Sequence, residues 1–150
     1  MQYQNGSRLR DKAAESGAPQ TRAEVDSMIA QANKSDILVF VQRWLGLDDE
    51  LLQLSQQADH VETVLGDKLL GGMLKQRAQD VIFTMQRRAR DLARLVAQQP
   101  EDIGAKCYVR ARLLEISPDD AETPEKLCEG ILKDVERLGI DVPGLRRPSH

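Results

Sequence analysis

A chain of 150 residues with 41% hydrophobic and 30% charged side chains has the balance of one folded domain rather than of a disordered segment. Two cysteines are too few for a disulfide scaffold, and a net charge of −3 disfavours a protein that coats nucleic acid with its whole surface. Only 3% of the residues are aromatic, so the core has to be aliphatic, a composition that suits packed helices better than β-sandwiches.

Residues 1–20 are polar and end in Gly17-Ala18-Pro19, which predicts a mobile arm ahead of a domain over 21–140. The opening MQYQNGSRLRDK has no apolar signal core. Thr21-Arg22-Ala23-Glu24 matches a capping box, in which Thr21 accepts from a backbone N–H three residues on and Glu24 reaches back. Val25, Met28, Ile29 and Ala32 follow at helical spacing, giving a first helix from 22 to 33. Ser35 can cap a second, in which Ile37, Leu38, Phe40, Val41, Trp44 and Leu45 share one broad arc. The run Ile37 to Val41 is also β-prone, but the arc and its flanking signals favour a helix with Trp44 as a core anchor. This stretch, broken by Gln42 and Arg43, is far short of the roughly 20 apolar residues of a membrane span.

Gly46-Leu47 predicts a glycine stop, and Asp48 the cap of a third helix. Its seam of Leu51, Leu54, Ala58, Val61 and Leu65 alternates steps of three and four. Gly66-Asp67 reads as a break and restart before a fourth helix over 67–98, with a stripe of Leu74, Ala78, Val81, Met85, Ala89, Leu92 and Val96. Gly71 and Gly72 mean either that this helix starts late or that another backbone passes close by. Pro100 opens a fifth helix that Ser117-Pro118 stops at Ile116. Thr123-Pro124-Glu125 opens a sixth as cap, proline and acid, with Leu127, Cys128, Ile131, Leu132, Val135 and Leu138 on its buried face and Gly139-Ile140 as its end. Residues 141–150 read as a loose tail. The expected fold class is all-α: a bundle of five to six helices around a long antiparallel hairpin of the third and fourth.

Charge is divided between the hairpin arms. Residues 35–66 carry six acidic side chains and one basic, and residues 67–98 carry seven basic and three acidic. Exposed pairs between them bias pairing by a few tenths of a kcal/mol each, roughly, and do not drive folding. Phe83, Arg87, Arg90 and Arg94 fall on one side of the fourth helix, away from the apolar stripe. One reading is a neighbouring helix over Phe83 and solvated arginines. The sharper one is a partner-binding surface with Phe83 as its apolar anchor.

No catalytic, cofactor-binding or metal-ligating set is legible. His60 lies among Asp59 and Glu62 without further ligands at useful spacing, and His150 ends the tail. Cys107 and Cys128 match neither C-x-x-C nor a zinc pattern and read as buried thiols. Gly71-Gly72 lacks the phosphate-loop pattern, and Asp48-Asp49 and Asp119-Asp120 lack EF-hand spacing. The first two helices, joined near Asn33-Lys34-Ser35, could form a helix-turn-helix, but Arg43 is the only basic side chain of the second.

The segments RDLARLVAQQPEDIGAKCYVRARLLEI and LCEGILKDVERLG place a proline-started helix carrying Gly-Ala-Lys before an acidic loop and a last helix. Over about residues 89–139 this resembles small uncharacterised bacterial helical proteins, some of them prophage-associated. The resemblance implies helices and carries no functional residue. The expectation is a cytoplasmic, non-enzymatic adaptor that binds another protein, or a second copy, through Phe83, Arg87, Arg90 and Arg94. No membrane contact and no cofactor are expected. The alternative is a nucleic-acid-binding regulator using the same basic stripe, and a helix-bounded ligand site ranks last.

Overall fold

A computed structural model describes residues 19–139, and among them five helices and no strand are formed: α1 (Arg22–Gln31), α2 (Asp36–Thr63), α3 (Lys68–Arg94), α4 (Pro100–Ile116) and α5 (Glu122–Leu138). The domain is all-α. The expected tail and most of the expected arm lie outside the described residues, but Pro19 and Gln20 belong to the folded body. Pro19 is buried, and the Gln20 backbone N–H donates to Glu24. The box at Thr21 forms with one change: Thr21 Oγ1 accepts from the Glu24 backbone at 3.1 Å, and Glu24 reaches back to Gln20 rather than to Thr21 itself.

The expected second and third helices are one. Gly46 and Leu47 lie inside α2, and Gly46 has no positive φ. The reason lies in the phase of the pattern. Val41, Leu45, Leu51, Leu54, Ala58 and Val61 are all buried, and Asp48 fills the seam position between Leu45 and Leu51. An uninterrupted seam stabilises more than the ~1 kcal/mol that a mid-helix glycine costs. Asp48 is therefore no cap; it is 6% exposed, and Arg112 of α4 donates to both its oxygens at 3.0 Å.

Gly66, at φ 66°, turns the chain, and Asp67 caps α3 by accepting from the Leu70 N–H at 3.0 Å. The arms run antiparallel: Glu62 meets Lys75 near the turn, Glu50 meets Arg77, and Trp44 Nε1 donates to the Met85 carbonyl at 3.0 Å towards the base. A Cβ on Gly71 would overlap the Glu62 side chain, so a side chain rather than a backbone approaches there. α3 ends at Arg94, four residues before expected, and Val96 is 60% exposed instead of closing the stripe. Past Arg94 the chain turns extended at Leu95, whose carbonyl accepts from Lys106 of α4.

α4 starts at Pro100, and buried Asp102 serves its first turn. It accepts from Ser35 Oγ, the Gln98 N–H and Gln99 Nε2, tying the α1–α2 connection to α4. The expected cap Thr123 is instead buried inside α5, with Ala121 in the cap position and Asp120 accepting from the Thr123 N–H at 3.1 Å. α5 closes on Gly139 at φ 67°, while its expected companion Ile140 lies outside the described residues.

The core runs through all five helices, from Val25 of α1 to Ile131 of α5. Beneath it Lys106, fully buried, pairs with Asp134 at 2.6 Å. Asp134 also accepts from the Ala97 N–H, and Arg137 donates to the Ala97 carbonyl. Two charges buried together are tolerable because each also bonds the backbone, Lys106 to the Leu95 carbonyl and Asp134 to the Ala97 N–H.

Candidate partner-binding face on α3

α3 buries one side against α2, α4 and α5 and leaves the other open. Leu69, Met73, Gln76, Asp80, Phe83, Arg87, Arg90 and Arg94 step by four and three along the helix, and all are exposed. They therefore form one straight stripe opposite Ala78, Val81, Met85, Ala89 and Leu92, which are buried. The stripe changes character along its length. Leu69 is 78% and Met73 63% exposed near the hairpin turn, Phe83 is 58% exposed at mid-helix, and arginines follow. No neighbouring helix covers Phe83, so the blander reading of this residue does not hold among the described residues.

The three arginines are not equivalent. Arg90 Nε donates to Thr123 Oγ1 at 3.2 Å. Burial works against the charge of Asp120, but hydrogen bonds from Thr123 and the charge of Arg90 outweigh it and hold that carboxyl below its ordinary value. A hydrogen bond from Lys126 lowers Glu122 in the same direction, with Arg90 contributing. Arg90 thus helps to fasten α3 to the start of α5. Arg87 and Arg94 have no ion pair or hydrogen bond among the described residues.

At its C-terminal end the stripe opens into a groove between α3 and α5 of about 570 Å³. Arg90 and Arg94 line one wall, and Lys126, Lys133 and Arg137 of α5 the other. Gly130 and Ala93 also line the groove and bring the two helices close: a Cβ on Gly130 would stand 2.5 Å from the Ala93 carbonyl oxygen. The α5 cations were missed in reading the sequence, although Lys126, Lys133 and Arg137 recur at seven and four residues and so share a face. Lys126 pairs with Glu122, and Arg137 lies 3.6 Å from Asp134. Glu129 is an acidic group in the lining beside Asp134. The chemistry is that of an anion-accepting surface continuous with exposed apolar side chains.

Elsewhere the chemistry is structural. His60 is exposed, and no cluster of three or more His, Cys, Asp or Glu among the described residues could hold a metal ion. Cys107 and Cys128, expected to be buried, are half-buried free thiols, and burial pushes Cys107 up to about 11 despite Arg110 nearby, which keeps it protonated at neutral pH. Among the described residues no helix is long and apolar enough to cross a membrane. In comparisons with known proteins, the chain matches no family model, no curated protein and no solved structure.

Proposed function

We propose that this protein is a non-catalytic helical interaction module, cytoplasmic and bacterial, that binds an acidic protein partner along the outer face of α3. The observation that supports this best is Phe83: a bulky aromatic side chain, 58% exposed, on an ordered helix between apolar Leu69 and Met73 and basic Arg87 and Arg94. Aromatic and arginine side chains supply most of the energy of protein interfaces when a partner desolvates them. The groove against α5 extends the same surface with further cations, which suits a partner carrying carboxylates at one end and an apolar face at the other.

The test compares wild type with Phe83→Ala/Arg94→Glu, each purified gently from the native cell with and without nuclease. Arg94 is chosen over Arg90 because Arg90 also fastens α5. The expected result is a stoichiometric protein partner that survives nuclease and is retained by the variant about tenfold less well. A partner held equally by the variant overturns the assignment to this face. Co-purifying nucleic acid, with binding that falls steeply with salt, replaces the proposal by a nucleic-acid-binding role for the same cations.

A further inference from the structure

A second cleft lies away from the α3 stripe, where α2 and α3 face each other near the base of the hairpin. Phe40, Arg43, Trp44 and Leu47 form one side and Thr84 and Arg88 the other, enclosing about 240 Å³. Residues 40, 43, 44 and 47 lie on adjoining turns of α2, and 84 and 88 are one turn apart on α3, so the walls are as rigid as the hairpin itself. Trp44 is fixed by its hydrogen bond to the Met85 carbonyl and is 1% exposed.

The two guanidinium groups distinguish this cleft from an ordinary surface crevice. Arg22, Arg77 and Arg112 each meet a carboxylate of α2. Arg43 and Arg88 are exposed and have no ion pair or hydrogen bond among the described residues. Two forked donors without carboxylates therefore flank an apolar hollow. The hollow is smaller than the roughly 300–1,000 Å³ of sites for small-molecule ligands, and suits one leucine-sized side chain. Guanidinium groups match carboxylates two bonds at a time.

We propose that this cleft is a docking site, separate from the α3 face, for an acidic peptide segment of a partner protein: one apolar side chain enters between Phe40, Trp44 and Leu47, and carboxylates on either side of it meet Arg43 and Arg88. Charge complementarity selects the occupant, since the cleft presents two cations and no anion.

Trp44 is the single tryptophan of the chain, so its indole N–H gives one cross-peak in a proton–nitrogen NMR spectrum of the full-length protein. The probes are acetyl-Glu-Leu-Glu-amide, acetyl-Lys-Leu-Lys-amide, acetyl-Glu-Ser-Glu-amide and a short single-stranded oligonucleotide. A saturable shift with the first peptide, with a Kd of about 1 mM, is expected, and shifts with the second and third should be about tenfold weaker. Arg43→Gln/Arg88→Gln should weaken binding of the first peptide about tenfold, with helicity unchanged because both side chains are exposed. Thr84→Phe, which fills the cleft from α3, should abolish the shift in an independent way. The proposal is overturned by an equal response to the lysine or serine peptide or to the oligonucleotide, by unchanged binding in the double variant, or by no saturable shift up to about 10 mM. It is equally overturned by a Trp44 resonance that moves with protein concentration alone, which would place a second copy in the cleft.

Discussion

The base of the α2–α3 hairpin and its far end are made of the same two helices but have different neighbours. At the base, α1 and α4 reach α2 through Arg22 to Asp49 and Arg112 to Asp48, and α4 and α5 reach α3 through Lys106, Thr123 and the loop at Ser117. Among the described residues the polar links from other helices end at Asp49 on α2 and begin at Gln86 on α3. Beyond them, among the described residues, the arms are tied by polar contacts only to each other, as in Lys75–Glu62 and Arg77–Glu50. α2, with 28 residues, extends about 42 Å, whereas α4, with 17, covers about 26 Å. The far end exposes Val64, Leu65, Leu69, Leu70 and Met73, while the base encloses even charged Lys106, Asp102 and Asp134. Surplus polar satisfaction at one end and surplus apolar surface at the other indicate that stability is concentrated at the base, while the far end leaves apolar surface uncovered.

The strongest way to break this comparison is Lys106→Met. It leaves the buried Asp134 carboxylate with the half-exposed Arg137 at 3.6 Å as its counterion and should cost about 3 kcal/mol in urea unfolding. Adding Asp134→Asn removes the buried charge and keeps an acceptor for the Ala97 N–H, so part of the loss should return. A loss below about 1 kcal/mol for Lys106→Met would mean that the base is not where stability resides. Gly130→Ala should come next, at about 1–3 kcal/mol, because the new methyl meets the Ala93 carbonyl and α3 and α5 must part. The same variant should also widen the basic groove, read as altered NMR shifts at Arg94 and Lys133.

Gly46→Ala acts at the junction of the two regions and in the opposite direction. The residue is helical, and a Cβ there meets nothing within 4 Å, so melting should show a gain of about 0.5–1 kcal/mol. A loss would restore the glycine stop expected from sequence. Smallest of all should be Leu69→Ser/Met73→Ser, within about 0.5 kcal/mol in the same unfolding assay, since both side chains are exposed in the free protein. A larger loss would show that the far end is covered in solution.

What was legible in the sequence follows the same divide. Periodicity found the helices and the breaks at Gly66, Ser117 and Gly139, because those signals are local. It failed at Gly46 because a glycine followed by a leucine and an aspartate has the same local form whether the helix stops or passes through. Only Arg112, sixty-four residues away, makes Asp48 a seam residue. Thr123 misled similarly: its hydroxyl is taken by Arg90, and the capping role falls to Asp120. The placement of Phe83, Arg87, Arg90 and Arg94 on one face was legible, since it depends on a single helix, but that no neighbouring helix covers Phe83 was not. The groove with Lys126, Lys133 and Arg137 was not, since it requires knowing that α5 lies against α3. The cleft of Arg43 and Arg88 was hidden for the same reason.

Asp48 has a consequence for how the hairpin finds its alignment. The contact between α2 and α3 is nearly repetitive, and a slide of one arm past the other by seven residues would again set aliphatic against aliphatic. Such a slide moves the arm about 10 Å. If α2 moved with it, Asp48 would leave Arg112 and stay inside without a counterion, an arrangement disfavoured by several kcal/mol, roughly. One carboxylate therefore works like the index mark on a sliding scale: the teeth engage at many offsets, and the mark reads true at one.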